Sequence, residues 1–272
     1  MKALGSISLA IALAASLAAP AHAGAIHDGA QFTNVLARND DGSTGVVAIG
    51  FNIDFYGLAA QSTLFVNNNG NVTFNAPLST FTPFGLITST IPIIAPFFAD
   101  VDTRNSASDV VRYGQGTIGG RNVFGVNWIN VGYFPSAANL LNSFQLIITD
   151  RSDVAAGDFD FEFNYDQIQW ETGSASGGSG GFGGTPARAG WTDGGATDFE
   201  FAGSGVTRAF IDGGPNALIA GSLNSSVTGQ YIFNVRGGRV QPPSGVPEPM
   251  SLALVGLALA GMGLASRKKL FA

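Results

Sequence analysis

The sequence predicts an all-β fold: a single antiparallel sandwich-like domain, flanked by an N-terminal signal peptide and a C-terminal hydrophobic sorting helix. Phe159, Phe161, Phe163 and Tyr165 occupy every second position, and Asp158, Asp160, Glu162 and Asn164 fill the gaps. Period two places the four aromatics on one face of a strand and the polar set on the other, where a helix would scatter both. Asn69-Gly70 lies between two strand-like runs, Thr63 to Asn67 and Val72 to Phe74. Asn-Gly is the preferred two-residue hairpin turn, because both central positions need positive φ. Between the two chain ends no stretch sustains a 3.6-residue apolar period over ten residues.

The elements follow in order. Lys2 supplies a basic n-region, Leu4 to Leu17 an apolar h-region, and Ala21-His22-Ala23 a small-residue cleavage site, so residues 1–23 read as a signal peptide and the mature chain begins near Gly24. Residues 24–59 form an N-terminal strand region, containing Gly50 to Gly57, that leads into a β domain over 60–237. Ile91 to Phe98 is apolar but carries Pro92 and Pro96, which predicts a buried edge or crossover segment rather than a central strand. Further strands are expected at 110–113, 122–131, 143–149, 158–165, 187–191 and 231–235. Gly173 to Gly184 holds seven Gly and three Ser and reads as a flexible loop. Residues 238–245 form a Pro/Gly spacer, and no internal repeat is present.

Composition narrows the chemistry. Between Gly24 and Val246 there are nine Arg, no Lys and eighteen acidic residues, an excess of nine negative charges. That balance argues against nucleic acid, whose affinity rests on cation–phosphate contacts, and against a polybasic lipid-binding patch. The chain has no cysteine, which removes disulfides, thiol catalysis and thiolate metal sites. Of the two histidines, His22 leaves with the signal peptide and His27 remains in what reads as a loose N-terminal segment. One histidine does not support a multi-His zinc site or a His-containing triad within one chain.

The tail is an address. Val246-Pro247-Glu248-Pro249 precedes an apolar run from Met250 to Ala265, and Arg267-Lys268-Lys269 follows. Pro247 and Pro249 hold the first part extended. The apolar run spans about 24 Å as a helix, a little short of a hydrocarbon core of about 30 Å, and snorkelling of the basic stop makes up the difference. The basic end stays cytoplasmic by the positive-inside rule. This three-part tail, residues 246–272, resembles the PEP-CTERM sorting signal of Gram-negative bacteria. The resemblance implies an exosortase as processing partner, a membrane-anchored precursor held through the C-terminal helix, and a mature product at the cell surface or in the extracellular matrix.

Several runs, taken in order, resemble the NIDO domain, the nidogen extracellular-like module. They are Asn69-Gly70-Asn71-Val72-Thr73-Phe74, then Ile94 to Asp102, Asn142 to Ile148, Phe161 to Trp170, and Ala187-Arg188-Ala189-Gly190-Trp191. Where the family commonly has Trp before Ala-Asp, this chain has Phe98. The resemblance covers about Ala60 to Val235. It implies an extracellular all-β module of adhesion and matrix proteins, with no catalytic residues to carry over.

Candidate site residues are carboxylates. Asp100 and Asp102 sit two apart after an apolar strand, and Asp158, Asp160 and Glu162 repeat that spacing. Such sets suit Ca²⁺, which takes six to eight oxygens; they equally suit a solvated strand face and an Asp that stabilises a turn. No EF-hand loop or Gly-Asp nonapeptide repeat is present, and no other cofactor is indicated. Asp100, Asp102, Asp160, Glu162 and Glu171 would form the pool for glycoside cleavage. Trp128, Trp170 and Trp191 are core residues or sugar-stacking platforms. The leading function is a secreted or cell-surface, non-catalytic NIDO-like adhesion or matrix (biofilm) protein whose partners are extracellular polysaccharide or surface proteins. The alternative is a carbohydrate-binding or carbohydrate-active module acting on exopolysaccharide.

Overall fold

The computed structural model describes residues 24–242 apart from residue 196. The predicted signal peptide and the sorting tail at 246–272 lie outside the described residues. Thirteen strands form: β1 (Asn34–Val35), β2 (Val47–Phe55), β3 (Leu58–Asn67), β4 (Asn71–Thr73), β5 (Ile93–Phe98), β6 (Arg112–Ile118), β7 (Arg121–Tyr133), β8 (Ala137–Asp150), β9 (Phe159–Ile168), β10 (Arg188–Thr192), β11 (Asp198–Glu200), β12 (Gln230–Arg236) and β13 (Arg239–Val240). The helices among the described residues are two single 3-10 turns, Leu86–Thr88 and Ser174–Ser176. None is long and apolar enough to cross a membrane.

The strands make two antiparallel sheets. One runs β1-β6-β7-β8-β9-β12-β13 and the other β11-β10-β5-β4-β3-β2. One apolar core joins them, drawing Phe55, Val66, Ile94 and Trp191 from the second sheet and Trp128, Phe144, Phe161 and Phe233 from the first. The predicted domain start at residue 60 falls inside β3, and the predicted spacer contains β13. Residues 24–59 are therefore part of the folded body.

The alternating strand is β9. Phe159, Phe161, Phe163 and Tyr165 are all buried in the core. Phe161 pairs with Phe233 across the β9–β12 ladder, and the two rings stack at 4.8 Å. Trp128, Trp170 and Trp191 are buried too, with the Trp128 and Trp170 indoles donating to the Asn68 and Val131 carbonyls at 3.0 Å.

Two expectations about β5 and its hairpin are corrected. β5 is a central strand between β4 and β10, buried along its whole length. Pro92 precedes it, and Pro96 sits where the β5–β10 register shifts between Arg188 and Gly190, so the missing N–H costs no regular ladder bond. The Pro96 carbonyl accepts from Tyr165 Oη at 2.6 Å. The turn before β4 is longer than the Asn-Gly pair implied: Asn67 pairs with Asn71, leaving Asn68, Asn69 and Gly70 as the loop, with Gly70 at φ 73°. This matches a three-residue hairpin loop closed by one left-handed residue.

The outer face of β9 is not an open, solvated surface. Residues 24–33 cross this face of the sheet, passing β9 at Gly24 and His27, and His27 is docked rather than loose. Its backbone N–H donates to Gln145 Oε1 at 3.1 Å, Gln145 Nε2 donates to its carbonyl at 3.1 Å, and its Nε2 lies 2.7 Å from Glu162. Asp160 is clasped by Arg151 and Arg236, both at 2.7 Å. Asp158 is buried and accepts from the Gly237 N–H at 2.8 Å. The Gly173 to Gly184 loop likewise folds on itself, with Ser179 and Phe182 bridged and the Glu171 and Thr172 N–H groups both donating to Gly181 O.

The His27–Glu162 contact makes a pH-dependent clasp. The Glu162 hydrogen bond raises the His27 pKa above its ordinary value against the opposing effect of burial. A raised histidine contributes its stability in full below the unfolded value of about 6.5 and loses it as pH rises through the folded value. His27→Gln should therefore cost about 0.5–1 kcal/mol at pH 6 and less at pH 9, read from urea midpoints. An equal cost at both pH values would refute the clasp.

Candidate cation-binding site

Asn67, Asn68, Asn69 and Asn71 are all buried and together build one polar hub. Asn67 Oδ1 accepts from Ser43 Oγ at 2.7 Å and from the Leu78 N–H at 3.0 Å, while its Nδ2 donates to Asn71 Oδ1 at 2.8 Å. Asn68 Nδ2 donates to the carbonyls of Asp40 and Val101. Asn69 Nδ2 donates to Asp41 Oδ1 at 2.8 Å, and its Oδ1 accepts from the Val101 N–H at 2.9 Å. The β3–β4 turn thus fastens the segment before β2 to the end of β5. Arg38 reinforces this by donating to the carbonyls of Thr103, Asn105 and Ser108 at 2.6–2.7 Å.

The two acids that the sequence paired take different partners. Asp102, fully buried, takes the Arg104 backbone N–H and Nε on Oδ1 at 2.9 Å, and Arg104 Nη2 and the Ser136 N–H on Oδ2. Burial pushes its carboxyl up, but the Arg104 side chain and the backbone N–H donors outweigh it and hold Asp102 below the usual range. Asp100 instead joins Asp40 and Asp41: one carboxylate oxygen from each lies within 4.8 Å of the others. Asp100 is 1% exposed, and its Oδ2 has no hydrogen-bond partner. Burial first, then the charges of Asp40, Asp41 and Asp102, push Asp100 up to about 7. Burial and the Asp102 and Asp41 charges push Asp40 up to about 6, opposed by Arg104 at 3.0 Å. Gly173 leaves room for this carboxylate, since a Cβ there would lie 2.1 Å from Asp100 Oδ2.

The rest of the carboxylate pool is occupied. Asp160 and Glu162 hold the Arg and His partners already described. Glu171 is buried and accepts from the Arg208 N–H at 2.6 Å and the Gly183 N–H at 3.4 Å. Asp40 and Asp41 were absent from the sequence-derived candidates. Their signal was the Asn39-Asp40-Asp41-Gly42 run, which reads as an ordinary turn until the fold brings it against Asp100.

The model of the Nidogen-like domain family matches residues 62–119 and 113–237 in overlapping segments. The chain belongs to this family. Asp100, Asp102, Arg104 and the asparagine hub lie inside the Nidogen-like match, whereas Asp40 and Asp41 precede it. Among curated proteins, Alpha-tectorin of Mus musculus is 32% identical over 230 residues, covering 76% of this chain and 10% of that protein. Alpha-tectorin of Homo sapiens is 31% identical over 230 residues, with the same coverage. Nidogen of Drosophila melanogaster is 29% identical over 234 residues, covering 76% of this chain and 16% of that protein. The chain thus spans between a tenth and a sixth of the length of these relatives. No solved structure matches.

Proposed function

We propose that this chain is an exported, non-catalytic adhesion or matrix module, sorted by an exosortase through Val246-Pro247-Glu248-Pro249. It is anchored by its C-terminal segment as a precursor and then resides at the cell surface or in the extracellular biofilm matrix. The observation that carries this reading is a Nidogen-like module matched over residues 62–237, and the terminal segments that read from sequence as export addresses support it. Kinship with tectorin and nidogen supports an extracellular setting. The partners already held by Asp102, Asp160, Glu162 and Glu171 support a structural rather than catalytic role. Its partners are extracellular polysaccharide or surface proteins.

Processing is the direct test. Mass spectrometry of the native protein from a host with an exosortase should find no peptide beyond the Pro-Glu-Pro segment. Recovery of Arg267-Lys268-Lys269 on most molecules would overturn the sorting step. Deleting the gene should reduce cell aggregation without changing polysaccharide turnover.

A second reading, carbohydrate binding, is favoured by a cavity of about 280 Å³ lined by Tyr56, Trp191, Phe199 and Asn224. Tyr56 stacks on Trp191 there at 5.2 Å. A glycan array separates the two: binding that disappears in Tyr56→Ala selects the carbohydrate module.

A further inference from the structure

We propose that Asp40, Asp41 and Asp100 bind one calcium ion, which ties the segment before β2 to the end of β5. The three carboxylate oxygens lie within 4.8 Å of one another. Oxygens around Ca²⁺ at about 2.3–2.6 Å are at most about 5 Å apart, so the three fit one coordination sphere.

The acids alone would not carry this. The second observation is that the most deeply buried member lacks a partner. Asp100 is 1% exposed, yet no donor reaches its Oδ2. An ionised carboxylate in that position requires a compensating charge or donor. The fully buried Asn68 also has an Oδ1 with no donor, while its Nδ2 is held by the carbonyls of Asp40 and of Val101, the residue after Asp100. The cation nearest the cluster, Arg104, is already committed. It is bidentate to Asp102 and reaches Asp40 Oδ2 at 3.0 Å, leaving Asp40 Oδ1 buried and unpartnered.

The donor set is oxygen only, which selects a hard cation over zinc. The ligands come from two segments some 60 residues apart in the chain and meet through side-chain contacts. That arrangement suits the adaptable sphere of Ca²⁺ better than the octahedron of about 2.0–2.1 Å that Mg²⁺ demands. The inference stands on this geometry and is independent of the sorting and adhesion reading.

The test uses the full-length chain purified in chelator and melted in chelator or in CaCl₂ at matched ionic strength. A Ca²⁺ excess of about a hundredfold over its dissociation constant should raise Tm by roughly 5–10 °C, with Mg²⁺ giving less. Terbium bound in its place should luminesce on tryptophan excitation, because the Trp128 indole donates to Asn68 O beside the acids. Asp100→Asn keeps the shape and removes a repelled charge. In chelator it should melt at or above the parent temperature, and it should lose the Ca²⁺ response. Asp41→Asn, at a less buried position, should weaken Ca²⁺ at least about tenfold, by loss of one hard-cation ligand charge. Equal melting in CaCl₂ and chelator, or a Ca²⁺ response that survives both substitutions, would overturn the site.

Discussion

Phe161→Asp should leave no folded domain. Phe161 is fully buried on β9 and touches both sheets: Phe233 stacks on it at 4.8 Å within its own sheet, and the Phe55 and Trp191 rings meet it edge-on at 6.4 Å from the facing one. Truncating a buried Phe costs about 3–5 kcal/mol through lost burial and the cavity left behind. Placing an unpaired carboxylate among those rings adds a desolvation cost of several kcal/mol, reduced only by protonation. The sum rivals the total stability of a typical domain, about 5–15 kcal/mol. Phe161→Leu keeps the site apolar and should cost about 1–2 kcal/mol in a urea titration. One position earlier, on the other face, Asp160→Ala releases Arg151 and Arg236 and should cost about 1 kcal/mol, since both ion pairs are partly solvated. If Phe161→Asp melted within a few degrees of the parent, the inter-sheet seam would not lie where the structure puts it.

That contrast also measures how far the sequence reached. Period two on β9 was legible because an alternating strand writes its burial directly into residue order. The outer face was misread for the same reason: alternation marks the polar side but says nothing of what covers it. Residues 24–33 return across that side of the sheet with no local signal beyond His27. β5 reads from sequence as a buried edge or crossover segment because Pro92 and Pro96 argue against a ladder, and nothing local announces that the β10 register shifts at Pro96. The short strands β1, β11 and β13, of two or three residues each, are too brief for any periodicity to show. The site was half legible. Asp100 stood out after its apolar strand, but its neighbours Asp40 and Asp41 lie 59–60 residues earlier. Asp102, paired with Asp100 in the sequence reading, is claimed by Arg104 two positions on.

Gly70→Ala should be among the most damaging glycine substitutions of the described residues, and it should act on fold and site together. Gly70 ends the β3–β4 loop at φ 73°, a region that costs an L-residue roughly 1–2 kcal/mol. Its added Cβ would also sit 1.8 Å from the Phe97 carbonyl oxygen and 2.7 Å from the Phe97 carbonyl carbon. Those are backbone atoms of a strand that is buried along its whole length, so no rotamer change relieves the clash. Moving them apart strains the Phe97 N–H bond to Gly70 O at 3.2 Å, and overpacking of this kind costs about 1–3 kcal/mol more. Gly57→Ala isolates the conformational part. Gly57 has nearly the same φ, 74°, and nothing lies within 4 Å of the Cβ it would gain. In paired urea titrations Gly57→Ala should therefore cost about 1 kcal/mol and Gly70→Ala about 2–5 kcal/mol. Equal losses would show that β5 yields freely, contrary to its central, fully buried position. The same variant displaces Asn68 and Asn69, the residues that hold the Asp40 carbonyl and the Asp41 carboxylate. Its residual folded fraction should bind terbium more weakly than Gly57→Ala does, because the hairpin turn that closes β3 onto β4 also sets the spacing of the three acids.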